Sequence, residues 1–170
     1  MSLLKKIQKD LRMLADSNRA ASLQRFFKTG RGEYGYGDQF LGITVPRMRA
    51  LAKSYYESLA FIDLRYLLAS KFHEERLMAL LILVLKYKKA NLCQQQQIYN
   101  FYFANIAGIN NWDLVDLSAP YIVGAHLFDK EKDFLHKLAK AENLWQRRIA
   151  IVAMLTILIT IILAPVAATK

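Results

Sequence analysis

The sequence has few of the residues that form cross-links and sharp turns. Cys93 is the only cysteine among 170 residues, so the chain can form no internal disulfide and no metal cage built from cysteines. Three prolines and seven glycines are few for an all-β protein, which needs turn residues at short, regular intervals. The first residues also lack the apolar run of a secretory signal peptide. We therefore expect a helical protein in the reducing cytoplasm.

Acidic residues are scarce relative to basic ones. The chain carries 24 lysines and arginines against 14 aspartates and glutamates, and the excess is largest in its N-terminal third. A basic protein gains affinity for a polyanion when condensed counterions are released, so nucleic acid is the leading candidate partner and an anionic membrane surface the second. Charge that only keeps the protein soluble is the alternative.

Apolar residues recur at helical spacing along most of the chain. Leu4, Ile7 and Leu11 predict an amphipathic helix over residues 3–15. Further helices are expected at about 19–28, from 44, and at 62–69, 73–89, 94–107, 111–126, 131–140 and from 144. Short connections and a weak similarity between 76–80 and 147–151 suggest paired-helix repeats. The prediction is one all-α domain over 1–170, a HEAT-like helical-repeat solenoid.

The C-terminal segment is unusually apolar. Residues 149–164 contain no charged side chain, and only Thr156 and Thr160 carry a polar group. The run is shorter than the roughly 20 residues that span a bilayer. A buried terminal helix is the favoured interpretation; membrane insertion and C-terminal repeats that are truncated or altered after about 153 are the alternatives.

An aromatic residue and a carboxylate share one helix face in the segment 110–116. Trp112 and Asp116 are four residues apart and therefore neighbours on a helix. Asn110 or Asn111 can cap this helix, and Asp113 in its first turn has mainly a structural role. A buried tryptophan beside a salt-bridged aspartate is also common in helical proteins, so spacing alone leaves a functional and a structural interpretation open.

A similar combination follows about one repeat later. Trp145 precedes Arg147 and Arg148 at another helix start. Either arginine could bind phosphate groups, or one could pair with Asp116. A salt bridge between neighbouring repeats is the structural alternative.

The histidines give no metal motif. His73-Glu-Glu-Arg76 opens a helix but has no second histidine four residues later, so the HExxH spacing is absent and a capped, solvated helix start is expected. His126 and His136 are isolated and receive no role. No nucleotide-cofactor motif is present either, and we predict neither metal nor cofactor.

A loop rich in tyrosine and glycine lies beside basic residues. Tyr36 is flanked by glycines and follows Lys28 and Arg31, a composition suited to binding a nucleic-acid backbone. Arg47 lies on the polar side of the next helix. The tyrosines could equally pack this loop onto the second repeat.

Several segments, in this order, resemble the DNA alkylation repair family of AlkD-like glycosylases. The resemblance covers about residues 1–153. The segments are 28–42 (KTGRGEYGYGDQFLG), Val45-Pro46, 73–77 (HEERL), 111–121 (NWDLVDLSAPY) and 145–148 (WQRR).

The resemblance implies a helical solenoid that binds duplex DNA and excises N3- and N7-alkylated, cationic purines by cleaving the N-glycosidic bond. Trp112 and Asp116 match the catalytic tryptophan and aspartate of the family, and Arg148 matches its cleft arginine. DNA contacts are predicted for a wider set: Lys28, Arg31, Tyr36, Arg47, Trp145 and Arg147.

The chain departs from the family pattern after Ala153. The resemblance implies further amphipathic helices with another cleft tryptophan, for which residues 154–163 offer no counterpart. A non-catalytic DNA-binding or scaffold protein of the same fold is therefore the alternative function. In either case we expect a monomer that binds duplex DNA and does not associate with membranes.

Overall fold

The computed structural model describes residues 2–163. Within this range the chain is helical, and the one strand-like feature is an isolated bridge between Gln39 and Phe72. The all-α prediction is confirmed. The helices are α1 Leu3–Met13, α2 Ser17–Phe26, α3 Val45–Tyr55, α4 Phe61–Leu68, α5 His73–Lys89, α6 Leu92–Ala104, α7 Trp112–Asp116, α8 Asp133–Ala139 and α9 Leu144–Leu163, with a 3₁₀ turn at Ile106–Gly108 and a π-helical turn at Pro120–Gly124.

Local sequence signals account for several helix starts. The Asp16 carboxylate accepts the Arg19 N–H at 3.0 Å and so caps α2. Asn91 and Gln94 satisfy each other's backbone N–H groups at the start of α6, which is the reciprocal pattern of a capping box. Thr44 is the residue before α3, and its side chain makes no capping hydrogen bond.

The helices are arranged as repeated pairs around α5. One row consists of four helices that contact one another in succession: α3, α5, α7 and α9. Of the other helices, α4 and α6 pack against α5, and α8 packs against α9. α5 is the centre of the core, because every residue from His73 to Val84 is buried. Successive layers therefore bury a continuous core between neighbouring pairs, as expected for a helical-repeat fold.

The expected single helix over 111–126 is wrong in one respect. α7 ends at Asp116, and a π-helical turn follows at Pro120–Gly124. Pro120 has no backbone N–H and its ring clashes with the preceding turn, so a regular α-helix cannot run through it. The helix predicted at 94–107 likewise ends at Ala104 and is followed by the 3₁₀ turn.

The apolar C-terminal helix is buried along one side only, so the expectation of a buried terminal helix is wrong for its outer face. Ile149, Ala150, Ala153 and Ile157 face the core. The exposed residues on the other side include Ile151, Leu155, Leu158, Ile161, Ile162 and Leu163. By length and composition α9 could cross a membrane. This is weak evidence for a membrane span, because the inner face of α9 packs against α7, α8 and the π-helical turn.

Candidate active site

Trp112 occupies the first position of α7, where its backbone and ring are both held. The Asn111 side chain accepts the Trp112 N–H at 2.8 Å, which satisfies one of the free donors at the helix start. The indole is half-buried and stacks on Phe27, with ring centroids 5.1 Å apart and an interplanar angle of 19°. Phe26 meets the same indole edge-on at 6.2 Å. The end of α2 therefore forms an aromatic support for Trp112.

Asp116 lies one helical turn after Trp112 and is bound by Arg148 of α9. Nε of Arg148 donates to Oδ1 at 2.8 Å, and Nη2 donates to Oδ2 at 2.6 Å. The pair is open to solvent, with 40% of the arginine and 35% of the aspartate side chain exposed. The hydrogen bonds to Asp116 raise the pKa of the Arg148 guanidinium. The structure thus joins Asp116 and Arg148 across two neighbouring helices of the row, with Trp112 one helical turn before Asp116 on α7.

Trp145 and Arg147 lie at the start of α9 in different surroundings. Tyr34 of the glycine-rich loop meets the Trp145 indole edge-on at 5.8 Å. Nη1 of Arg147 donates to the backbone carbonyls of Ala141 at 2.9 Å and Glu142 at 2.6 Å. Arg147 therefore anchors the loop before α9, and its predicted phosphate contact stays a prediction.

The other predicted DNA contacts lie on the surface. Lys28, Arg31, Tyr36 and Arg47 are all exposed. Lys28 adopts a φ of 48°, a left-handed conformation that closes α2 and is uncommon for residues other than glycine. Tyr36 is 65% exposed, so the structural interpretation of its ring as loop packing is wrong. The structure does not join these residues to Asp116 by direct contacts.

A basic groove beside Asp116 was not found from the sequence. Arg49 and Lys53 of α3 and Lys88 of α5 line a cavity of about 260 Å³. Its lining also includes Leu117, the residue after Asp116. Lys88 lies 5.0 Å from the ring centroid of Tyr121. Within residues 2–163, none of these three cations has a carboxylate at ion-pair distance. The spacing on α3 alone gave no sign that α5 would supply the third cation.

The segment His73–Arg76 is not a solvated helix start, and that prediction is wrong. All four side chains are buried. The Glu74 carboxylate accepts the backbone N–H groups of Leu41, Gly42 and Ile43 at 2.8, 2.8 and 3.2 Å. It holds the loop before α3 against α5, a tertiary role that the sequence pattern could not show.

His73 and Arg76 belong to a buried polar network beneath α7. The His73 imidazole lies between the carboxylates of Asp113 (2.8 Å) and Asp38 (3.5 Å), and Asp38 also pairs with Arg76 at 2.7 Å. Burial lowers the pKa of His73, but the contacts with Asp113 and Asp38 outweigh it and raise the pKa above its ordinary value. For Asp38, burial raises the pKa, but His73, Arg76 and Asn111 bring it below its ordinary value. Each shift favours the charged form of its group.

Metal-ligating side chains do not cluster in the part of the chain that the structure describes. No group of three or more histidine, cysteine, aspartate or glutamate residues has the arrangement of a metal site there. In the buried network the His73 ring is instead occupied by its two carboxylate partners.

The fold and the site define a helical-repeat protein with an aromatic residue, a carboxylate and basic residues along one row of helices. The chain belongs to the family described as DNA alkylation repair enzyme, whose family model matches residues 7–161. This family has a role in DNA repair. The match ends at residue 161, whereas the resemblance noted from the sequence ends at about residue 153. Neither a search of curated proteins nor a search of solved structures found a match for the chain.

Proposed function

We propose that the protein is a DNA glycosylase that removes N3- and N7-alkylated, cationic purines from duplex DNA. The observation that carries the proposal is the Asp116–Arg148 ion pair one helical turn after Trp112, in a member of a DNA alkylation repair family. A carboxylate, an aromatic face and a guanidinium next to a basic groove suit a cationic lesion in a polyanionic substrate.

The chemistry of the lesion limits what the protein has to supply. An alkylated purine carries a positive charge, so it leaves as a neutral base when the C1′–N bond breaks and its electron pair passes to the purine. Positive charge then develops on the deoxyribose. Water adds to C1′ and loses a proton, which leaves an abasic site and needs no metal or cofactor as co-reactant.

Asp116 is suited to stabilising the charge that develops on the sugar. Arg148 donates one hydrogen bond to each oxygen of the Asp116 carboxylate. A carboxylate has further acceptor positions, and these remain open. The exposed part of the carboxylate can therefore face the deoxyribose or orient the attacking water. A carboxylate fixed in place before the reaction has no reorganisation cost as the charge forms.

Trp112 and the basic residues would position the DNA around this carboxylate. The indole, supported by Phe27, offers a flat apolar face to the deoxyribose and favours the cationic state through its π electrons. Arg148 is partly exposed and can bind a neighbouring phosphate as well as Asp116. DNA-backbone contacts are proposed for the groove cations Arg49, Lys53 and Lys88 and for the residues predicted from the sequence: Lys28, Arg31, Tyr36, Arg47, Trp145 and Arg147.

Base release from a duplex containing 7-methylguanine tests the proposal. Asp116→Asn keeps the shape of the side chain but removes its charge, so release should fall by about 100-fold or more while duplex binding persists. Asp129→Asn, at an exposed aspartate outside the site, is the matched control and should release base at the unchanged rate. Equal rates for Asp116→Asn and the unaltered chain would refute the assignment.

A DNA-binding protein without catalytic activity is the second candidate. The chain contains two tryptophans, Trp112 and Trp145, and the further cleft tryptophan that the family resemblance implies has no counterpart. Salt-dependent binding of duplex DNA without release of any alkylated base would favour this function. A binding constant independent of salt would instead remove DNA as the partner.

A further inference from the structure

The buried His73 ring is connected to both residues that flank Trp112. On one side, Nε2 of His73 lies 2.8 Å from Oδ2 of Asp113. On the other side, Nδ2 of Asn111 donates to Oδ2 of Asp38 at 3.4 Å, and that same oxygen lies 3.5 Å from Nδ1 of His73. The backbone before and after Trp112 is therefore tied to a single imidazole and its two carboxylates.

The face of the same ring supports the indole from below. His73 stacks on Phe40, with centroids 4.6 Å apart, and lies 5.3 Å from Phe27. Phe27 in turn stacks on Trp112 at 5.1 Å. The polar edge of His73 thus fixes the helix that carries Trp112, and its flat face supports the ring on which the indole rests.

A histidine combines these two contacts in a way that other side chains do not. An imidazole can hydrogen-bond one carboxylate through Nε2, place Nδ1 near a second carboxylate and keep an aromatic face. Glutamine can reach one carboxylate but offers no ring to Phe27. Phenylalanine keeps the ring but leaves Asp113 without its hydrogen-bond partner and Asp38 without the neighbouring positive charge.

We propose that His73 is a positioning residue that sets the orientation of the Trp112 indole for base excision at Asp116. The consequence for catalysis rests on the proposed glycosylase function. The orientation of the indole, in contrast, is a property of the protein without DNA. The two can therefore be tested separately.

A histidine that only stabilises the core would behave differently, and the chain provides a matched control. His126 is also buried and lies at hydrogen-bond distance from Tyr87 and Gln96. It stacks on Tyr99 and does not contact the rings around Trp112. Replacing either histidine lowers stability, but only a change at His73 should alter the signal from Trp112.

The first experiment measures Trp112 directly in the full chain. In a Trp145→Phe background, Trp112 is the only tryptophan, so its emission maximum and its quenching by acrylamide report its surroundings. His73→Gln should shift the emission to longer wavelength and increase quenching, whereas His126→Gln should leave both unchanged. An unchanged Trp112 signal in folded His73→Gln overturns the proposal, whatever the activity.

The second experiment measures base release with Trp145 retained. His73→Gln should lower the single-turnover rate at saturating enzyme by about 10- to 100-fold, with little change in the Kd for the duplex, because misplacement of a reacting group affects the chemical step more than binding. Loss of binding with an unchanged single-turnover rate would contradict a positioning role. Should the unaltered chain release no base, the glycosylase function fails, and the fluorescence result still decides the orientation of the indole.

A second substitution keeps the test decisive if His73→Gln does not fold. Asp113→Asn is nearly the same shape and retains an acceptor for the His73 ring, but it removes one of the two charges that hold it. The fluorescence change should have the same direction and be smaller. A folded Asp113→Asn variant with unaltered Trp112 emission would overturn the proposal.

Discussion

Arg148 and Asp116 form a two-point ion pair, in which Nε and Nη2 of the guanidinium each donate to a different carboxylate oxygen. The pair joins α7 to α9, two neighbouring helices of the row, and fixes the direction of the carboxylate one turn after Trp112. Its geometry depends on the planar, forked guanidinium, which a lysine ammonium cannot reproduce.

Arg148→Lys should therefore impair chemistry more than stability. We expect single-turnover base release to fall by about 10-fold or more because one of the two contacts that orient Asp116 is lost. The free energy of unfolding should change by less than about 1 kcal/mol, since both side chains are partly exposed. Arg19→Lys, at an exposed arginine of α2, is the control for both measurements. A base-release rate unaffected by Arg148→Lys would show that the two-point geometry is not required.

The basic groove beside Asp116 predicts a defined salt dependence. Replacing Arg49, Lys53 and Lys88 together by alanine should reduce the slope of log K against log salt by about 0.9 for each phosphate contact that is lost. The measurement is duplex affinity by fluorescence anisotropy over a range of salt concentrations. A triple variant at exposed lysines of the C-terminal half, Lys130, Lys137 and Lys140, removes the same charge elsewhere. Equal changes in slope for the two triple variants would show that net charge, and not the groove, determines binding.

Two glycines with the same backbone conformation provide a test of the loop packing. Gly32 and Gly42 have φ values of 83° and 84°. A Cβ atom on Gly32 would meet open space, whereas one on Gly42 would overlap the backbone oxygen of Asp16. Gly32→Ala should cost about 1–2 kcal/mol from the left-handed conformation alone, and Gly42→Ala should cost a further 1–3 kcal/mol or so from the overlap. Urea unfolding measures both, and a similar cost at the two positions would contradict the close packing.

The network around His73 predicts that stability falls as the pH rises above the ordinary pKa of histidine. Burial and the positive charge of Arg76, which pairs with Asp38, lower the folded-state pKa of His73, but Asp113 and Asp38 outweigh them and raise it above 6.5. The stabilisation from protonated His73 is therefore fully present below about pH 6.5 and is lost as the pH rises through the folded-state pKa. Asp38 has a lowered pKa, so its contribution is present above about 3.8 and is lost as the pH falls through its folded-state pKa.

Thermal unfolding of His73→Gln measures this prediction between pH 6 and 9. The variant should be less stable at pH 6 and should lose the alkaline decrease attributable to His73. His126→Gln serves as the control, because burial and the charge of Lys130 lower the pKa of His126 and its contribution has the opposite sign. If the alkaline decrease of the His73→Gln variant equals that of the unaltered chain, His73 is not its source.

The sequence by itself determined the helical class, the repeated arrangement and the position of Trp112 one helical turn before Asp116. These follow from apolar periodicity and from the spacing of four residues, which are local properties of a helix. The break after Asp116 is also local, because it follows from Pro120, although the spacing of apolar residues concealed it. Family resemblance, and not spacing, distinguished Arg148 as a candidate site residue.

Only the tertiary structure decided what surrounds these residues. The segment 73–76 looks like a charged helix start in the sequence. Its four side chains are buried because partners distant in the chain satisfy them: Asp113, the backbone of 41–43, Arg12 and Asp38. A buried charge is tolerated only with such partners, and sequence spacing does not specify contacts that close over long loops. The ion pair of Asp116 also depends on tertiary contacts. The packing of α9 against α7 decides that Arg148, and not Arg147, reaches the Asp116 carboxylate.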